Sequence, residues 1–400
     1  MLTRSAWRVG RDVASARSIR SISSRPADFA EPIYVTKPLL PDLDQYHAHL
    51  RDIWQTAWLS NVGSKHRALE AALREHLGAQ YLALFNNGTT ALSLACQALK
   101  LTGEVITTPF TFPATPHVLA CNQITPVFAD IDPQSLTLDP RQIEPLITSR
   151  TTGILAVHVY GMPCAVEEIQ SIADAYGLSV LYDGAHAFGT KVAGRPITDF
   201  GDATMLSFHA TKLFHTAEGG ALALRDPQLY AQIELMKNFG IKNESEVAMP
   251  GINGKMNELQ AALGLLTLRQ VGIERLARTA IASVYRARLS RIEGLTFIDL
   301  PQNVDNSHQY FVVRIDASAP VNRDALYDRL KEFNIFTRKY FHPLCSQYEC
   351  YRSLPSADPS RLPTAHRIVG EVLALPYYGA LGQDGAHRVC DAISYIVGGQ

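Results

Sequence analysis

The chain has 400 residues, 46% of them hydrophobic, and its 37 Lys and Arg stand against 38 Asp and Glu for a formal charge of −1. That composition excludes a collagenous, coiled-coil or wholly disordered chain and allows two or three domains with cores of their own. Without a net positive field neither nucleic acid nor an anionic membrane is an expected partner, and any bound phosphate needs a local site.

In chain order, the first 25 residues carry Arg4, Arg8, Arg11, Arg17, Arg20 and Arg25 among serines and alanines, with Asp12 the sole acid. Transit peptides have this composition, and so do upstream translated sequence and a plain disordered tail. Residues 1–30 are therefore read as a basic tail outside the fold. Near residue 50 a different pattern begins. In "SKHRALEAALREHLGAQ", Leu69, Leu73 and Leu77 recur four apart, and Gly78 supplies a helix stop. The short apolar runs "YLALFN", "EVITT", "TPVFAD", "GILAVHVYG", "LSVLYDG", "ATMLSFH" and "GALALR" read as strands, several separated by helical stretches such as "AVEEIQSIADAYG". Such alternation predicts an α/β fold with a mainly parallel sheet covered on both faces.

Residues 257–294 have apolar spacing near 3.6, as one long helix or two abutting ones. A smaller α+β pattern follows, with "YFVVRID" as a strand and "NRDALYDRLKEFN" and "AHRVCDAISYIVGG" as helices. The expected division is a large domain over 31–275 and a small one over 276–400. The six cysteines lack C-x-x-C spacing, and no run of about 20 apolar residues exists, so neither a disulfide framework nor a membrane span is expected.

Three segments carry the candidate chemistry. "LFNNGTTALSLA" sets Gly88, Thr89 and Thr90 between a strand and a helix, where free N–H groups suit a phosphate, although such a turn also serves as a simple cap. "LYDGAHAFG" puts Asp183 at a strand end, two residues before Ala185 and three before His186, at the sheet edge where ligand sites gather. "LSFHATKLFHTAEGG" holds Ser207 and Lys212 between two strands, in an apolar stretch that favours a partly buried, nucleophilic amine. No G-x-G-x-x-G or G-x-x-x-x-G-K-[ST] pattern occurs.

The order of these blocks over roughly residues 33–395 resembles the pyridoxal-phosphate-dependent sugar aminotransferases of the DegT/DnrJ/EryC/StrS family. The resemblance implies fold type I: a large domain with a mainly parallel seven-stranded sheet, a small C-terminal α+β domain, and a homodimer with active sites at the subunit interface. It assigns Lys212 as the catalytic lysine that holds pyridoxal 5'-phosphate and moves the proton, and Asp183 as the partner of the pyridine nitrogen. His186 falls near the cofactor ring, Phe112 stacks on it, and Gly88, Thr89 and Ser207 hold the phosphate with Asn253 from the neighbouring subunit. Ala217 replaces the family's usual glycine before Glu218. Asp130 and Asp132 read as turn carboxylates.

A lysine at position 212 argues for transamination, since dehydratase relatives carry histidine there. "FNIFTRKYFHPL" resembles members that aminate dTDP-4-keto-6-deoxy-D-glucose at C4 with L-glutamate as donor. Arg338, Tyr340, Phe341 and His215 are then candidate contacts to the nucleotide-diphospho-sugar. A 3-keto or UDP-linked sugar, or an inactive homologue, are the competing readings. No metal is expected, and cytosolic sugar nucleotides imply a cytoplasmic enzyme.

Overall fold

The computed structural model describes residues 24–399. Its main sheet has seven strands: β1 (Tyr81–Phe85), β2 (Glu104–Thr107), β3 (Thr125–Phe128), β4 (Thr151–Val157), β5 (Ser179–Asp183), β6 (Ala203–Ser207) and β7 (Gly220–Leu224). They lie in the order β1-β7-β6-β5-β4-β2-β3, and only β7 runs antiparallel, against β1 and β6. Both faces are covered, which explains strands that are apolar at successive positions. In β1, Leu82 and Leu84 pack with Leu69, Leu73 and Leu77 of the helix Ser64–Leu77, while Ala83 and Phe85 pack with Ala91 and Leu92 of the helix Gly88–Ala98. Gly78 ends the first of these helices at φ 64°, in the left-handed region that glycine enters freely.

The segment after residue 257 is one continuous helix, Glu258–Leu289, of 32 residues. It starts on a capping box: the Asn257 side chain accepts from Gln260 N–H, and the Gln260 side chain accepts from Asn257 N–H. At about 1.5 Å per residue the helix is long enough to serve two cores. Ala261 and Val271 pack beneath the main sheet, whereas Ile281, Tyr285 and Leu289 pack against Ile393 and Ile396 of the helix Gly382–Val397. A second, antiparallel sheet of β8 (Leu295–Phe297), β9 (Phe311–Ile315) and β10 (Val372–Leu375) completes that second core.

Most of the basic tail, residues 1–23, lies outside the described residues. Its last part does not behave as a tail. Phe29 is buried, its N–H donates to the Phe333 carbonyl at 3.1 Å, and its carbonyl accepts from Asn334 Nδ2 at 2.7 Å. Ile33–Tyr34 pairs in parallel with Ile335–Phe336. Phe29 is buried in the C-terminal core and Ile33, partly buried, packs against it, despite the arginines before them.

A buried ion pair ties the long helix to the segments at His308 and Gly379. Arg278 Nε donates to Glu274 Oε1 at 2.7 Å, Arg278 Nη1 donates to the His308 carbonyl at 2.9 Å, and Glu274 Oε1 also accepts from Gly379 N–H at 2.8 Å. With side chains only 1% and 8% exposed, neither charge has water to fall back on if its partner is removed. Arg278→Leu is expected to lower the unfolding free energy by about 3–5 kcal/mol, read from urea titrations monitored by fluorescence; a change below about 1 kcal/mol would contradict this role.

Candidate active site

A cavity of about 630 Å³ opens at the carboxyl ends of β1, β5 and β6, a volume suited to a small organic ligand. Its floor at one end is the start of the helix Gly88–Ala98. Asn87 caps that helix, its Oδ1 accepting from Thr90 N–H at 2.7 Å, and the earlier amides of the first turn have no partner within the helix. Gly88 is required by close approach: a Cβ there would stand 2.9 Å from Met205 Sδ, and one on Gly220 of β7 would meet Gly88 N at 2.5 Å. Gly88, Thr89 and Ser207 all line the cavity, so N–H groups, hydroxyls and the positive end of the helix dipole converge at a phosphate-sized recess.

Asp183 is the last residue of β5 and is 4% exposed. Its Oδ2 accepts from Thr115 Oγ1 at 2.8 Å and its Oδ1 from Ala185 N–H at 3.0 Å. Burial raises its pKa, and these two hydrogen bonds together with Lys212 pull it back. Lys212 sits in the turn after β6 and is half-buried. Loss of solvation lowers its pKa to about 8, with the attraction of Asp183 acting in the opposite sense.

His186 is buried, and its Nδ1 accepts from Tyr160 N–H at 3.1 Å, which leaves the ring proton on Nε2. Burial, and then Lys212, keep its pKa well below the usual imidazole range, so the ring is neutral. Its ring lies parallel to Phe341, with centroids 5.9 Å apart. Phe341 and Tyr340 wall the cavity, and Phe112 faces it with 57% of its surface exposed, a free aromatic face for a flat ligand.

Three sequence-derived candidates do not reach this cavity. His215 is turned away, its Nε2 paired with the Leu39 carbonyl at 2.8 Å, and it is held as a buried structural imidazole. Arg338 is exposed beyond the cavity wall and is fixed through its backbone, which pairs with Ala374. Neither residue lines the cavity of this chain. Asn253 also lies outside that cavity, on the exposed surface of the chain, with its carbonyl accepting from Asn86 Nδ2 at 3.4 Å. Asp130 and Asp132 are structural as expected: Asp130 accepts from Thr364 and Ala365 N–H, and Asp132 from Gln134 and Ser135 N–H. Ala217 occupies φ 65°, a left-handed turn held here by an L side chain.

Other lining residues were not singled out by the sequence. Tyr310 places its ring centroid 5.9 Å from Lys212 Nζ and edge-on to His186 at 5.0 Å. Behind the lining Thr115 holds Asp183, and among the lining residues His209 and Glu218 stand 3.7 Å apart. An aromatic at the head of "YFVVRID" was the one available signal for Tyr310. Among the described residues no group of His, Cys, Asp and Glu is arranged to hold a metal ion, and no helix is long and apolar enough to cross a membrane.

Pyridoxal phosphate fits these residues: a recess of N–H donors for the phosphate, a buried carboxylate for a protonated ring nitrogen, an exposed aromatic face, and an amine near neutrality. The model of the DegT/DnrJ/EryC1/StrS aminotransferase family matches residues 43–394. The chain is 44% identical over 357 residues to a dTDP-4-amino-4,6-dideoxy-D-glucose transaminase of Escherichia coli, covering 88% of this chain and 95% of that one. A Shigella dysenteriae protein of the same name is 41% identical, covering 92% and 99%. The solved structure of DesI in the presence of its TDP-sugar product superposes with a TM-score of 0.88 at 37% identity, covering 93% of this chain and 94% of that one. The chain therefore belongs to the DegT/DnrJ/EryC1/StrS aminotransferase family, and is an aminotransferase with the fold type I architecture of pyridoxal-phosphate enzymes.

Proposed function

We propose that this enzyme transfers the amino group of L-glutamate to C4 of dTDP-4-keto-6-deoxy-D-glucose, giving the 4-amino-4,6-dideoxy sugar and 2-oxoglutarate. The observation that carries the reading is one cavity lined by both Lys212 and Asp183, whose carboxylate is held by Thr115 and Ala185. The names borne by the Escherichia coli and Shigella dysenteriae relatives, and the TDP-sugar product present with DesI, support the choice of sugar.

When bound, pyridoxal phosphate supplies the electron sink for a carbanion at the substrate carbon. Gly88, Thr89 and Ser207 bind its phosphate and so set its position along the cavity. Asp183 keeps positive charge on the ring nitrogen, and Phe112 orients the ring by dispersion. With the cofactor in place, Lys212 Nζ would serve as the base that takes the proton from the substrate carbon and then as the acid that gives it back. His186, with its proton on Nε2, donates a hydrogen bond into the site.

A homodimer with composite sites belongs to the same reading. Phe239, Ile241, Val247 and Ile252 are large, exposed apolar side chains on the segment that carries Asn253, and water is a poor solvent for such a patch. A second copy would cover it and bring Asn253 to the neighbouring phosphate recess.

Incubation with glutamate and separate keto sugar nucleotides, followed by NMR assignment of the new amine, is expected to show amination at C4 of the dTDP sugar. Turnover of a 3-keto or UDP-linked sugar in its place would refute the choice of substrate. Lys212→Ala is expected to lose at least about a thousandfold in turnover with its circular dichroism unchanged. The pH dependence follows from the depressed pKa of Lys212. Its amine is protonated and unreactive below about pH 8 and free above it, so capture of pyridoxal phosphate by cofactor-free protein, followed by visible absorbance, should rise with pH through a midpoint near 8. A midpoint at the ordinary lysine value of about 10.4 would show that burial does not act on this amine.

A further inference from the structure

Lys212 lies in a turn and not in a strand or helix, so no regular ladder fixes its main chain. Its own N–H donates to the His209 carbonyl at 2.9 Å. The two peptide groups that flank it are taken by one side chain from the far end of the sequence. Leu213 N–H donates to Gln309 Oε1 at 2.7 Å, and Gln309 Nε2 donates to the Thr211 carbonyl at 3.1 Å. The carboxamide thus pairs with the turn as a neighbouring strand would, one donor and one acceptor on either side of the lysine. A flipped amide would set donor against donor and acceptor against acceptor, so its orientation is fixed by its partners.

Gln309 is itself immobilised. It is 2% exposed, and the connector around it is tied down at each residue. The Asn306 carbonyl accepts from Arg275 Nη2 at 2.6 Å, Ser307 Oγ donates to the His186 carbonyl at 2.7 Å, and the His308 carbonyl accepts from Arg278. The next residue, Tyr310, is the aromatic wall beside Lys212 Nζ. A connector leading into β9 of the second sheet therefore grips the backbone of both His186 and Lys212 on the main sheet.

We propose that Gln309 is a positioning residue for Lys212: by holding both flanking peptide groups, its carboxamide confines the lysine's motion to the side chain, so that Nζ reaches its two proton positions without displacement of the turn. The inference rests on the reading of Lys212 as the reacting amine. Proton transfer is steeply sensitive to placement, and a shift near 1 Å costs rate while leaving the groups that bind substrate in place. The grip therefore acts on kcat and not on KM.

The test compares wild-type holoenzyme with Gln309→Met, which keeps side-chain volume and loses both hydrogen bonds, and Gln309→Glu, which keeps the acceptor for Leu213 N–H and loses the donor to Thr211. In Gln309→Met, kcat is expected to fall about 10- to 100-fold with KM for the keto sugar changed less than about threefold. Hydrogen exchange at the Leu213 amide, measured with and without cofactor, should accelerate at least about tenfold while amides of β5 and β6 keep their protection. Gln309→Glu should retain the Leu213 protection and lose kcat by a smaller factor, which keeps the proposal open to test if the Met variant does not fold. Unchanged kcat with accelerated Leu213 exchange overturns the proposal, as does acceleration spread evenly over the sheet, which would make Gln309 a general stabiliser. Full turnover by Lys212→Ala overturns instead the reading of Lys212 itself, and is recognised separately because the Leu213 exchange does not depend on which amine reacts.

Discussion

The site depends on placing the Lys212 amine, its basicity lowered by burial, in one cavity with the buried Asp183 carboxylate. Attraction between Lys212 and Asp183 favours the charged pair, whereas burial disfavours each charge, and for Lys212 burial prevails, bringing its pKa to about 8. Burial also prevails for Asp183, whose pKa stays raised. Thr115 Oγ1 and Ala185 N–H donate to its two oxygens and offset part of the cost of burial, so its negative charge does not rely on Lys212 alone. The carboxylate can then serve a ring nitrogen while the amine remains free to exchange a proton.

That balance requires fixed walls, and they come from both ends of the chain's sheet structure, the main sheet and the connector into β9. The main sheet supplies the strand ends at Asp183 and Ser207, where parallel strands leave side chains and helix starts directed at one edge. The connector at 306–310 closes the other side, and the buried Glu274–Arg278 pair anchors it to the helix that spans both cores. The long helix is thus a brace between the two cores, which accounts for an unbroken length of 32 residues.

How far the sequence revealed this follows from how local each feature is. The seven strands, the helix stop at Gly78, and Gly88, Asp183, Ser207 and Lys212 were legible because each is encoded within a short motif at a strand end. Gln309 and Thr115 were not, since their partners lie 96 and 68 residues away and nothing in their own neighbourhoods marks them. His215 shows the opposite case. It lies three residues from Lys212, but the turn directs it to Leu39, a contact 176 residues distant. Arg338 was chosen for its chemistry, and the backbone pairing with Ala374 sets its side chain outside the cavity. Phe29 was obscured by the arginines that precede it.

The neutral composition of the chain fits the same electrostatics. Among the described residues lining the cavity, Lys212 is the one lysine or arginine. A second fixed cation near it would depress the amine further and compete for Asp183, upsetting the separation between a proton carrier and a charge partner. Phosphate can instead be met by groups without a full charge, the N–H donors of Gly88 and Thr89, the Ser207 hydroxyl and the helix dipole. These attract an anion at short range and fall off within the first turn. An even balance of charge over the whole chain is what such a site permits, since its anions are recognised by direction and contact and not by a long-range field.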